Sequence, residues 1–329
     1  NASRHKAMSY GYMRKELARL ENEMEQLMAQ ADRVDAEQDA ALGSRRGDEL
    51  PEELKRREDR LSKIRAAKER LEAEARERAA EEQRQRDAAE AERQAAGKKR
   101  RGKEPAPIDP TPGEKAQTNF TDPDAKIMKR SNKGFDYCYN AQAVVDSEHQ
   151  IIVAAETTNA ANDKQQAVPL AQAAVDNLAA ADIERPRDEQ GQPQPIPNTA
   201  DNGYYSEDNV RGVTEVGLDP YFAVGREKHH APVSVEPAAN DATATSSSAA
   251  AVVDQNPKAA MANKLRMATG RALYAARKHI VEPVFGQIKR IRGFRKFLVR
   301  GLESVSAEWQ LICLTHNLLK IWRHVSSVS

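Results

Sequence analysis

The sequence predicts an α/β chain, a mixed sheet flanked by helices, with a long coiled-coil-like helical hairpin near the N-terminus. Three observations predict it. Residues from about 7 to 96 are almost all Glu, Arg, Ala, Gln and Leu, with apolar positions at helical spacing. From Asn119 onward, β-rich alternating stretches take turns with helical ones, the pattern of a sheet covered by helices. Two short carboxylate motifs lie 81 positions apart, Ala200-Asp201-Asn202-Gly203-Tyr204-Tyr205-Ser206 at a strand end and Val281-Glu282-Pro283-Val284-Phe285-Gly286-Gln287-Ile288-Lys289 on a helix.

The first region, 1–97, reads as two helices. Met13, Leu17, Leu20, Met24, Leu27, Ala31 and Val34 alternate steps of four and three, an a/d seam. Gly43 and Gly47 interrupt it, and Pro51 preceded by Asp48 and Glu49 predicts a new helix start. Leu54, Leu61, Ile64 and Leu71 give the second helix its stripe. Beyond Leu71 the stripe fades to alanine, and charged pairs at i,i+4 take over. An antiparallel hairpin packing on itself is the simplest outcome. The seam is longer than one folded domain needs, which also offers a surface for a homodimer.

Residues 98–118 form a basic, proline-rich linker, with Lys98 to Lys103 followed by Pro105, Pro107, Pro110 and Pro112. Residues 119–225 form the first part of the core. Tyr137 to Asp146 reads as one strand, Ser147 to His149 as a turn, and Gln150 to Thr158 as the returning strand. Asn162-Asp163 predicts the cap of a helix running to Leu178. A short strand leads into Ala200, Ser206 caps a helix over 207–215, and Asp219 to Val224 is another strand. Residues 226–258, rich in Ala, Ser and Thr, read as a flexible low-complexity insertion. Residues 259–329 complete the chain with helices near 270–291 and 302–324, after one near 258–266.

Composition sets limits. With 31% charged residues and only 5% aromatics, a single core using the whole chain is excluded. No apolar run is long enough to span a membrane. Cys138 and Cys313 have no metal or disulfide spacing, and the seven histidines show none either, which fits a reducing cytoplasm. The net charge of +1 hides a local asymmetry. From Pro283 to Leu302 there is no acid, whereas Lys289, Arg290, Arg292, Arg295, Lys296 and Arg300 crowd together. Cations without balancing acids suit the phosphate backbone of DNA or RNA. Phe294 and Phe297 interleave with them as apolar anchors. Tyr274, Arg277 or Lys278, Glu282, Phe285 and Lys289 share one side of a helix. Pro283 suggests that the helix starts or kinks there. Asp201 alone reads as well as a turn residue as a metal ligand. Asp146 reads as hairpin-turn chemistry, and Asp122 and Asp124 as a turn around Pro123.

Taken together, these motifs resemble the DDE transposases of bacterial insertion sequences, in a branch carrying a long charged helical insertion. Asp201-Asn202-Gly203-Tyr204-Tyr205 is similar to the family's second-aspartate motif, with Asn202 where lysine is usual. Tyr274, Arg277, Glu282 and Lys289 resemble the signature around the family's glutamate. The Arg-to-Glu gap is one residue longer than common, which leaves Arg277 and Lys278 as alternatives. Asn119-Phe120-Thr121-Asp122-Pro123-Asp124, Tyr139-Asn140-Ala141-Gln142, Gly293-Phe294-Arg295-Lys296-Phe297 and His316-Asn317-Leu318-Leu319-Lys320 fit the same branch.

The resemblance implies an RNase H-like catalytic fold. It further implies that Asp201 and Glu282 are catalytic and bind metal, and that Tyr274, Arg277, Lys278, Lys289, Arg290, Arg292, Arg295 and Lys296 contact DNA. Two magnesium or manganese ions would serve cleavage and strand transfer on double-stranded DNA, with no small-molecule substrate, in a bacterial cytoplasm. Asn1 to Tyr10 resembles the segment immediately C-terminal to the family's first aspartate. The expectation is therefore a chain truncated before that acid, with doubtful activity of its own. Two other readings stay open: a non-catalytic DNA-binding or coiled-coil remnant, and a nuclease of the same fold unrelated to transposition.

Overall fold

The computed structural model describes residues 2, 6–42, 52–97, 105–129, 134–225 and 256–328. The predicted interruption at Gly43 and Gly47, the basic cluster from Lys98 to Lys103, and most of the 226–258 insertion lie outside these residues. The chain divides into two compact units, Ala2–Cys138 and Tyr139–Ser329.

The first unit is built on two helices, α1 (Tyr10–Leu42) and α2 (Glu52–Ala95). Met13, Leu17 and Leu20 of the first predicted stripe pack against Leu61, Ile64 and Leu71 of the second, with Ala67 between them and Met24 at the margin; the side chains of Ala31, Val34 and Leu54 lie outside the described ones. The helices run antiparallel: Glu23 pairs with Arg57, Glu16 with Arg60, and Tyr10 Oη donates to Glu72 Oε1 at 2.7 Å. Glu16 is buried in the seam, where Arg19 and Arg60 both reach it. The hydrogen bonds from Arg19 hold its carboxyl below the usual glutamate value. Past Leu71 only Ala75 and Ala79 are buried, and residues 80–89 are exposed. Small side chains and i,i+3 or i,i+4 ion pairs such as Arg84–Glu81 and Arg86–Glu82 are what remain there.

Short strands close this unit. β1 (Ala7–Ser9) pairs antiparallel with β2 (Gln117–Asn119), and β3 (Lys126–Lys129) with β4 (Phe135–Cys138). The Asn119-to-Asp122 segment is an Asx turn: Asn119 Oδ1 accepts from Thr121 N, Thr121 Oγ1 and Asp122 N.

The second unit alternates strand and helix. β5 (Asn140–Val145) pairs antiparallel with β6 (Ile152–Thr158). The single strand expected over Tyr137–Asp146 is therefore two, broken at Tyr139, because its halves serve different ladders. Asp146 closes the β5–β6 turn, its Oδ2 accepting from His149 N at 2.6 Å, as turn chemistry predicts. Next come α3 (Ala167–Ala180), β7 (Ile196–Ala200), α4 (Glu207–Glu215) and β8 (Leu218–Phe222). β7 and β8 are parallel, with Ala200 opposite Phe222. Ser206 caps α4 as expected, accepting from Asn209 N at 3.1 Å. Among the described residues the strands form four two-stranded ladders, and no ladder joins β5 to β7. The one mixed sheet that the sequence predicts is thus a set of small sheets.

The last helices are α5 (Pro257–Arg266), α6 (Ala268–Gly286) and α7 (Leu302–Val328). A five-residue π-helical turn, Gln287–Ile291, prolongs α6. One core joins Ile152 to Val284, Ile288, Trp309, Ile312 and Cys313; another joins α3, α4, β7 and β8 around Val213 and Phe222.

Pro283 lies inside α6, so Glu282 sits near that helix's end and not at a start. Proline has no N–H for the carbonyl four residues back, His279 O. That carbonyl instead accepts from Gln150 Nε2 at 2.9 Å. Gln150 itself has φ +59°, in the left-handed region. Three bonds hold it there, the other two coming from His316 Nε2 to its carbonyl and from Lys320 Nζ to its Oε1. Asn317 then clasps the edge of β6, with its amide paired to both Ile152 N and Ile152 O at 2.8 Å.

Candidate functional site

Asp201 directly follows the C-terminal end of β7, where a parallel strand pair leaves its last side chains facing open space. The carboxylate is exposed, and its Oδ1 accepts from Gly203 N at 2.8 Å. Asp201 is therefore a turn residue, and the same turn fixes where its carboxylate points.

A second carboxylate meets it there. A Cβ on Gly203 would lie 3.0 Å from both Asp201 Oδ1 and Asp163 Oδ2. The two oxygens can be no further apart than twice that distance, and glycine at 203 is what lets them approach. Asp163 does not cap α3, which starts at Ala167. It is drawn away by two amides: Asn140 Nδ2 and Gln142 Nε2 each donate to Asp163 Oδ1 at 2.7 Å. These two donors sit at alternate positions of β5 and so share a face. Two side-chain amides on one strand face can share an acceptor, and that is the sequence signal that points to an acid such as Asp163.

The network continues through Tyr204. Gln142 Oε1 accepts from Tyr204 Oη, and Gln142 O from Trp309 Nε1 at 2.8 Å, so α7, β5 and the Asp201 turn are tied together. Burial, then the negative charges of Asp163 and Asp201, push the Tyr204 hydroxyl well above its ordinary pKa. It stays a neutral hydrogen-bond donor at any working pH.

α6 packs against β7 and brings Arg277 to the same place. The Arg277 charge bears on Tyr204, and its guanidinium lies 5.4 Å from the Tyr274 ring centre. Arg277 Nε is buried and has no hydrogen-bond partner among the described residues. Of the two cations left open by the sequence, Arg277 is half-buried and its charge reaches Tyr204, whereas Lys278 is exposed. Glu282 lies further along α6 and is exposed. Among the described residues, no three acids, histidines or cysteines come together as a metal cluster.

Beyond α6 the chain turns basic. Phe285 stacks on Trp309 at 5.9 Å, and Phe297 meets the same ring edge-on at 6.5 Å. These aromatics seat the 287–300 segment on the core, with Gly293 at φ +79° allowing its turn. Lys289 lies 5.0 Å from the Phe285 ring centre, and Arg290, Arg295 and Lys296 are exposed. None of these four makes an ion pair among the described residues. The nearest acid in sequence on the C-terminal side with a defined role, Glu308, accepts from Leu298 N and Val299 N and so holds the segment's backbone. Arg292 differs from the others: it donates to Ile312 O at 3.1 Å and to Thr315 Oγ1, and covers the Phe294 ring. Its guanidinium clamps this segment to α7.

A family model described as a transposase DDE domain matches residues 238–322. That stretch contains Glu282 and the basic segment but not Asp201, and it supports a DDE transposase. No curated protein and no solved structure matches the chain.

Proposed function

We propose that the chain carries the DNA-handling and phosphodiester-transfer site of a DDE transposase of RNase H-like fold. It would perform metal-dependent cleavage and strand transfer on double-stranded insertion-sequence ends, in a bacterial cytoplasm. The observation that carries this reading is the packing of α6, the helix that bears Arg277 and Glu282 and leads into the basic segment, against β7, whose parallel strand end carries Asp201. The family match over 238–322 supports it.

The donor chemistry fits a hard divalent cation. The side chains gathered at Gly203 offer carboxylate oxygens and neither thiolate nor imidazole, which favours magnesium or manganese. Asp201 and Glu282 would hold it. When bound, the ion supplies Lewis-acid activation of the attacking hydroxyl and stabilises the leaving oxygen. The chain's own residues do the rest. Asp163, through Gln142 and Tyr204, positions the Asp201 turn. Arg277, whose charge bears on Tyr204 of that turn, would hold a phosphate oxygen through its guanidinium. Lys278, Lys289, Arg290, Arg295 and Lys296 hold the backbone of DNA without reading its sequence. Arg292 keeps their segment in place.

No described helix is long and apolar enough to cross a membrane.

The test is joining or nicking of DNA that bears the sequences flanking the gene, in magnesium or manganese. Asp201→Asn and Glu282→Gln should each lower the rate by at least about 100-fold, since even indirect disturbance of a metal site costs 10- to 100-fold. DNA affinity should stay within about twofold, because these acids do not contact phosphate favourably. Variants as active as the parent would overturn the proposal. DNA binding with no metal-dependent chemistry in the parent would favour the non-catalytic reading instead.

A further inference from the structure

Pro283 interrupts α6 one residue after Glu282. It removes the N–H that would bond His279 O, and its ring crowds that carbonyl. The turn that carries Glu282 therefore lacks the helical bond that would close it. Gln150 supplies the missing donor from 129 residues away, its Nε2 donating to His279 O at 2.9 Å.

The chemistry of its partners gives the Gln150 amide one orientation. His279 O can only accept and the Lys320 ammonium can only donate, so Nε2 must face the helix while Oε1 takes Lys320 Nζ at 2.7 Å. The backbone points the same way. A φ of +59° is uncommon for a residue other than glycine, asparagine or aspartate. Glycine would adopt it freely but has no side chain, and the amide of asparagine is one methylene shorter. A strained glutamine at a hairpin turn is explained by the work of its amide.

The β5–β6 hairpin that carries Gln150 reaches both acids. Two residues on, Ile152 shares a core with Val284 and Ile288, the buried side chains that follow Glu282 along the same helix. At the other end, Gln142 of β5 accepts from Tyr204 in the Asp201 turn.

We propose that Gln150 is a positioning residue for Glu282: its amide stands in for the helical N–H that Pro283 lacks and so fixes the turn from which the Glu282 carboxylate is presented. One hairpin then sets both Asp201 and Glu282. The role of Glu282 rests on the transposase reading, whereas the hold on α6 is measurable without it.

Gln150→Met tests this, since it removes the amide but keeps an unbranched, uncharged side chain. Hydrogen–deuterium exchange of the full chain should be at least about 10-fold faster over residues 279–288 in the variant, and unchanged in α3. The rate of joining or nicking at saturating DNA should fall by about 10- to 100-fold, the usual loss when a group that orients a metal ligand is removed. DNA affinity should stay within about twofold, because no phosphate contact is lost. Adding Pro283→Ala returns an N–H to the helix. In that background Gln150→Met should change exchange and rate by less than about threefold, a coupling that a role confined to Lys320 or His316 would not produce. Parental exchange in Gln150→Met overturns the proposal, as does an equal loss with and without Pro283. Faster exchange with a parental rate also overturns it, leaving Gln150 a structural residue. A parent without metal-dependent chemistry sinks the transposase reading alone, and exchange in α6 then decides whether Gln150 holds the turn.

Discussion

The α1–α2 hairpin and the segment from Lys289 to Arg300 are both rich in cations, yet they treat them in opposite ways. In the hairpin, arginines find acids: Arg19 with Glu16 and Glu23, Arg57 with Glu23, Arg60 with Glu16, Arg65 with Glu21. In the basic segment, no acid occurs between Pro283 and Leu302, and Lys289, Arg290, Arg295 and Lys296 form no ion pair among the described residues. Paired surface charges contribute little energy and keep a long helix soluble and in register. Crowded like charges repel, and the core anchors Phe285, Phe294 and Phe297 hold them in place against that repulsion. The contrast separates charge that serves the fold from charge that awaits an anion.

If that separation is right, the hairpin is held by its seam and not by its ion pairs. Ile64→Ala should destabilise the first unit by about 2–5 kcal/mol, the usual cost of emptying a buried aliphatic site. Urea denaturation reads this directly. A smaller effect is expected in the second unit. Asp163→Asn should leave the fold intact but lower metal-dependent activity by about 10- to 100-fold, because a partner that orients the Asp201 turn is lost. Full activity in Asp163→Asn would reduce Asp163 to a packing role. The smallest effect belongs to Arg84→Ala, whose pair with Glu81 is exposed on both sides. Its stability should stay within about 0.5 kcal/mol of the parent, and a larger loss would mean that hairpin charges do more than pair locally.

Local rules made much of this legible in the sequence. The seam of Met13, Leu17 and Leu20 against Leu61, Ile64 and Leu71 comes from periodicity alone, and Ser206 and Asp146 act where cap and turn chemistry put them. The misses came where distant groups decide. Asp163 has the sequence context of a cap, but amides more than twenty residues away on β5 hold it elsewhere. Pro283 leaves a start or a kink open inside the helix expected near 270–291; the helix runs through it because Gln150, distant in sequence, satisfies the carbonyl the proline frees. Tyr137 to Asp146 reads as one strand because alternation does not reveal which partner each half will choose. That Arg277 is half-buried and Lys278 exposed depends on the packing of α6 on β7, which the sequence does not reveal.

The central claim is that the uncompensated cations are the DNA-binding ones. Its most direct measurement is the dependence of DNA affinity on salt, for the full chain and two variants. One variant replaces Lys289, Arg290, Arg295 and Lys296 with glutamine, and the other replaces Arg65, Arg84 and Arg86 likewise. The slope of log affinity against log salt should fall by about 0.9 for each phosphate contact removed in the first variant and stay unchanged in the second. Equal slopes in the parent and the first variant, or a loss confined to the hairpin variant, would contradict the account.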